Sequence, residues 1–176
     1  MPGITSKVVS DLETLKALTH PLRTRLLGEL RRHGPATASE LGRRLGESSG
    51  STSYHLRQLE RYGFVGDDAE QPSGRERRWR ALHDQSSLPD ELWEAEGGLQ
   101  AWRGLYRQRV AYLQQELAAW TEPGPGRDYS DYLLSLSADD AAALLRDIDA
   151  VVSSYAGRGG GIPVHLHVIA LPDVAS

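Results

Sequence analysis

Cysteine is absent from the 176 residues. That excludes disulfides, thiolate metal sites and cysteine nucleophiles together, and it leaves the redox compartment open. No apolar run approaches the roughly 18 residues needed to cross a bilayer, and the N-terminus lacks a basic-then-apolar signal, so a cytoplasmic protein without a membrane partner is expected. Serine, histidine and acid do not gather in a catalytic motif. The run Gly157-Arg158-Gly159-Gly160-Gly161 has no strand before it and reads as a linker, not a nucleotide cradle. Neither an enzyme nor a cofactor is expected.

Positive charge is scarce in the whole and concentrated in a part. The net charge is -4, yet residues 20–80 carry 12 arginines against 8 acids, whereas residues 81–176 carry 6 arginines against 14 acids. A basic segment joined to an acidic one fits a nucleic-acid reader attached to a region that stays off nucleic acid.

The basic segment is helical in its punctuation. Leu12, Leu15 and Leu18 recur at helical spacing after Ser10, a candidate N-cap. Thr19-His20-Pro21 restarts the pattern, and the next helix buries Leu22, Leu26, Leu27 and Leu30 before Gly34-Pro35 stops it. Thr37 and Glu40 form a capping-box pattern for a third helix from Ala38 to Leu45, with Leu41 and Leu45 inward. Gly46 permits the left-handed turn into a fourth helix capped by Ser48 and ending at Gly63. That helix turns Thr52, His55 or Leu56, Leu59 and Tyr62 inward.

Its outward face offers Ser49, Gly50, Ser51, Ser53, Tyr54, Arg57, Gln58 and Arg61, without one acid. Small residues in the first two turns allow close approach to another surface, and longer polar side chains follow. A helix that enters the major groove needs that distribution. An ordinary solvated face would mix glutamates with lysines. Phe64-Val65 then begins a strand, Asp67 to Gly74 reads as a turn, and Arg75 to Leu82 returns with Arg75, Arg77, Arg78 and Arg80. Arg75 and Arg77 are expected on the sugar-phosphate backbone, and Trp79 in packing.

This ordered set resembles the arsenical-repressor (ArsR) family of winged helix-turn-helix regulators. The resemblance rests on Leu18-Thr19-His20-Pro21-Leu22-Arg23, on Ser48 to Leu59 with Ser53-Tyr54-His55-Leu56, on Gly63-Phe64-Val65 and on Gly74-Arg75. It covers about residues 10–82, and multiple-antibiotic-resistance-type regulators share the winged helix. The resemblance implies binding of double-stranded DNA as a homodimer and control of transcription, with residues 49–62 as recognition helix and 65–82 as wing. The DNA-contact set is then Ser48, Ser49, Ser51, Ser53, Tyr54, Arg57, Gln58, Arg61, Arg75 and Arg77. The cysteine pair of the family's metal sensors is missing, so the metal switch is not carried over. A repressor on a palindromic operator is the expected role, and a winged helix used for protein contact is the alternative.

Beyond residue 88 a helical region is interrupted by Gly97-Gly98. Leu99, Trp102, Tyr106, Val110, Leu113, Leu117 and Trp120 then follow at steps of three and four, near the spacing of a coiled-coil seam, which marks them for dimerisation. A strand near Tyr129 to Ser135, a helix capped by Ser137 and a strand over Pro163 to Leu171 complete the pattern. The helix is expected to turn Ala141, Leu144, Leu145, Ile148, Val151 or Val152, and Tyr155 inward. The expected architecture is α+β, mainly α, with a winged-helix domain at 8–84 and a dimerisation and effector domain at 88–176 that ends in a small strand-helix-strand unit. His165 and His167 share one strand face and are a candidate metal pair, but two polar positions on a half-exposed strand is the favoured reading. The aromatic residues of this half leave room for a small-molecule effector.

Overall fold

A computed structural model describes residues 4–69, 76–89, 91–119, 130, 132–156, 158, 164 and 166–170. The chain falls into two compact units, Ile4–Trp120 and a second made mainly of Thr121–Ser176. The long helix thus belongs to the first unit, whereas the sequence divides the chain between 84 and 88.

The first unit opens with β1 (Ser6–Val8), α1 (Leu12–Ala17) and α2 (Pro21–His33). Asp11, not Ser10, caps α1: its Oδ1 accepts the Thr14 N–H at 2.8 Å. A carboxylate is the stronger acceptor at the positive end of a helix. His20 caps α2, its Nδ1 accepting the Leu22 N–H at 3.2 Å. The capping box of α3 (Ala38–Leu45) forms as expected between Thr37 and Glu40, and Gly46 follows it at φ 70°. Ser48 caps α4 (Ser49–Arg61), accepting the Ser51 N–H at 3.1 Å.

Behind α4 stand β3 (Val65–Asp67) and β4 (Arg78–Ala81), antiparallel, with the short β2 (Ala36–Thr37) on the other edge of β4. Val65 pairs with Ala81 and Asp67 with Trp79, so the hairpin begins its turn later than the sequence places it. The residues of the tip, 70–75, lie outside those described.

One pairing has no sequence signal. The segment after the wing forms a strand: β5 (Gln85–Ser87) runs parallel to β1, with Lys7 opposite Ser86. Asp84 closes its end, Oδ2 accepting both the N–H and the hydroxyl of Thr5 at 2.7 Å. Strands of three mostly polar residues have no alternation to read.

The core joins Leu15, Leu26, Leu41, Leu56, Leu59, Phe64 and Val65, all but fully buried. Each such side chain contributes on the order of 1.5–3 kcal/mol of transfer free energy. Trp79 is buried, as expected of a packing residue, and so are Leu22, Leu26, Leu27 and Leu30 of α2.

After the short α5 (Glu91–Glu94) comes α6 (Gly98–Ala119). Its buried residues are Gly98, Ala101 and Leu105. Lower on the same face, the Gln108 side-chain amide donates to the Thr19 carbonyl and accepts from the Thr24 hydroxyl at 3.1 Å. Arg32 pairs with Glu116 and lies over the Tyr112 ring at 5.5 Å.

The second unit is α7 (Ala138–Tyr155), capped by Ser137 as expected. Contrary to expectation, its apolar face has no buried residue: Leu144, Leu145, Val151 and Tyr155 are exposed, and Ala141, Ile148 and Val152 are half-buried. The two flanking strands are a further correction. Residues 132–137 and 166–170 carry no strand. A lone parallel pair of short strands gains too few ladder bonds and too little packing to stand by itself.

Candidate nucleic-acid interface

The helix α4 is held from beneath. Thr52, Leu56 and Leu59 are buried, and the Thr52 hydroxyl donates to the Ser48 carbonyl at 2.9 Å. Gly42 lets α3 come close: a Cβ there would meet the Glu47 carbonyl oxygen at 2.7 Å. His55 also faces inward, its ring 4.2 Å from that of His20 and 5.1 Å from that of Tyr54. Burial and then Arg23 hold the His20 imidazole below its ordinary range, and burial, His20 and Arg23 do the same for His55, while Glu47 acts the other way on both.

The opposite face reaches solvent. Ser48, Ser49, Gly50, Tyr54, Arg57 and Arg61 are exposed, and Ser51, Ser53 and Gln58 are half-buried at its margins. Arg57 makes no ion pair among the described residues, and Arg61 lies only over the Tyr62 ring at 5.7 Å. Helical rotation places Tyr54, Arg57 and Arg61 at the centre of this face, with Glu60 on one flank and Gln58 and Tyr62 on the other.

The wing is different. Arg77 is tied to Glu60 of α4 and to Asp67 of β3, and its guanidinium lies 3.8 Å above the Trp79 ring. Hydrogen bonds to Glu60 and Asp67 raise its pKa further. Arg78 donates to the Pro35 carbonyl at 2.6 Å and stands 3.7 and 3.6 Å from Glu40 and Asp68. Arg80 donates to the Asp67 carbonyl at 3.1 Å. Arg77, expected on a phosphate backbone, is therefore engaged within the fold, as are Arg78 and Arg80 beside it. Arg75 lies outside the described residues.

Residues 18–65 match a family model described as a helix-turn-helix domain. The chain contains a helix-turn-helix domain. In it α3 and α4 are the two helices and Gly46 the turn. No curated protein matches the chain. Among solved structures, it is similar to a possible transcriptional regulator for arsenical resistance at 27% identity, covering 63% of this chain and 99% of that one with a TM-score of 0.35. It is also similar to an ArsR family transcriptional regulator at 25% identity, over 61% and 90% of the two chains, TM-score 0.33. A Zalpha domain from Carassius auratus in complex with Z-DNA is 21% identical over 35% of this chain and 92% of that one, TM-score 0.30. At these TM-scores none of the three bears on function.

Outside the helix-turn-helix domain, the expected dimerisation stripe lies on a face of α6 separate from the packed one. Leu99 and Leu117 are 47% and 52% exposed, while Trp102, Tyr106, Val110 and Leu113 are half-buried. Trp102 stacks on Tyr106 at 5.2 Å, and Trp93 meets it edge-on at 5.4 Å. Trp120 lies outside the described residues. So does His165, and no group of three or more metal-ligating side chains occurs among the described residues. No described helix is long and apolar enough to cross a membrane.

Gly42, Glu60 and Gln108 carry structural work that the sequence reading does not single out. A glycine four residues before a second glycine in a short helix was the available signal for the first. Nothing in the sequence points to the other two, because each acts on a residue distant in the chain.

Proposed function

We propose that the chain is a transcriptional regulator that reads a palindromic operator as a homodimer, with α4 in the major groove and repression as its effect. The observation that carries this reading is the exposed face of α4 centred on Tyr54, Arg57 and Arg61, with Arg57 in no ion pair among the described residues, on a helix-turn-helix domain. Ser48, Ser49, Ser51, Ser53, Tyr54, Arg57, Gln58 and Arg61 are the proposed contacts, with Ser48 also offering a helix N-terminus to phosphate. Two copies are needed to set two recognition helices about one DNA turn apart, and the outer stripe of α6 supplies an apolar surface for that pairing.

The engaged wing arginines favour one second reading, a winged helix used for protein contact. Salt separates the two. Titrating the full chain into the DNA beside its own gene should give an affinity that falls steeply as salt rises, with protection of two symmetric half-sites. Absence of duplex affinity at low salt would overturn the proposal in favour of protein contact. Deleting the gene should raise transcription from the protected promoter, whereas a fall would make the protein an activator.

A further inference from the structure

The two flanks of α4 differ. On the wing flank, Glu60 and Asp67 occupy Arg77. On the opposite flank, a cleft of about 220 Å³ opens between α1, α2 and α4, lined by Glu13, Lys16, Ala17, Arg23, Gln58 and Tyr62. Gln58 belongs to the proposed reading face, so the cleft adjoins the surface that a duplex would meet.

Two cations stand in this cleft. Lys16 is exposed and forms no ion pair among the described residues. Arg23 donates to the Ala17 carbonyl and, at 3.1 Å, to that of Lys16. Those bonds fix its guanidinium at the C-terminal end of α1 without neutralising it, since its partners are carbonyls. Glu13 is the one acid among the lining residues. A phosphate group suits such a place: a mobile ammonium and a fixed planar donor converge beside a side-chain amide.

We propose that this cleft seats the DNA backbone, with Lys16 and Arg23 as phosphate contacts that orient α4 in the groove. The inference rests on the DNA-reading function proposed above. It places the electrostatic footing of each protomer at the corner of α1 and α2, on the flank of α4 away from the wing.

The test uses the full chain and a random-sequence duplex of about three helical turns, where backbone contacts dominate. Anisotropy titrations over a range of salt give the slope of log Kd against log salt. Lys16→Gln should reduce the slope by about 0.9 per protomer, and Lys16→Gln with Arg23→Gln by about twice that. Lys16→Arg should restore it, and Arg146→Gln on α7 should leave it unchanged. Because Arg23 also ties α1, Lys16→Gln alone decides the matter if the double variant does not fold. An unchanged slope in Lys16→Gln, beside a wild type that binds with a clear salt dependence, overturns the cleft proposal and leaves DNA reading intact. A wild type that does not bind duplex at any salt overturns the function itself, and the cleft with it.

Discussion

The face of α4 and the wing beside it are both rich in arginine, and their arginines do different things. Arg57 and Arg61 are exposed, with no carboxylate on them among the described residues. Arg77, Arg78 and Arg80 are held by Glu60, Asp67, Glu40, Asp68 and two backbone carbonyls. The lesson is that formal charge along a sequence does not measure charge on offer. An arginine that lies between two carboxylates and over an indole ring is a clamp, and its field is cancelled within a few ångströms. The wing of this protein is braced by its arginines, while α4 displays its own.

Altering the support of α4 should break this contrast most severely. Gly42→Ala would drive a Cβ to 2.7 Å from the Glu47 carbonyl oxygen, a backbone atom that cannot swing aside. A loss of about 1–3 kcal/mol of stability is expected from such overpacking, read as a lowered midpoint in urea unfolding. An unchanged midpoint would mean that α3 and α4 approach less closely than described.

A smaller effect should come from the clamp. Glu60→Gln removes one of the two carboxylates on Arg77 and leaves an isosteric amide. The freed guanidinium should then reach phosphate, tightening duplex binding and steepening the salt slope by up to about 0.9 per protomer. If the slope stays the same, Arg77 remains occupied by Asp67 alone.

The least abrupt effect is on pH. His20 and His55 titrate below their ordinary value in the fold, so the unfolded chain binds more protons than the native one in that range. The stability they permit is present above about pH 6.5 and declines as pH falls below it. Asp67, in the wing, is also lowered, but from the carboxylate range, through its hydrogen bond to Arg77. Its contribution persists until pH falls below about 4. Replacing His55 with Gln should therefore flatten the pH dependence of thermal unfolding between neutrality and pH 5, and Asp67→Asn should not.

Most of the helix-turn-helix was legible because its signals are local. Thr37 with Glu40, Gly46 and Ser48 each declare a helix end within three residues, and the leucines of α2 recur at helical spacing. The outward face of α4 followed from the same periodicity. What was not legible depends on contacts far apart in the chain. Arg77 read as a free cation because neither Glu60 nor Asp67 is its neighbour in a helix pattern. The packed face of α6 was hidden because Ala101, Gln108 and Glu116 are small or polar, while the aromatic stripe with Trp102 and Tyr106 lies on the neighbouring face. The strands expected around α7 were inferred from apolar composition, which does not supply the neighbour that a strand requires.

The contrast between α4 and the wing is tested most directly by measuring the affinity of Arg57→Ala and Arg77→Ala for the protein's own promoter DNA, at one salt concentration and with both variants shown to be folded. Arg57→Ala should lose about 1–3 kcal/mol, on the order of 5- to 150-fold in Kd, while Arg77→Ala should change little. A large loss from Arg77→Ala with Arg57→Ala near wild type would contradict that contrast.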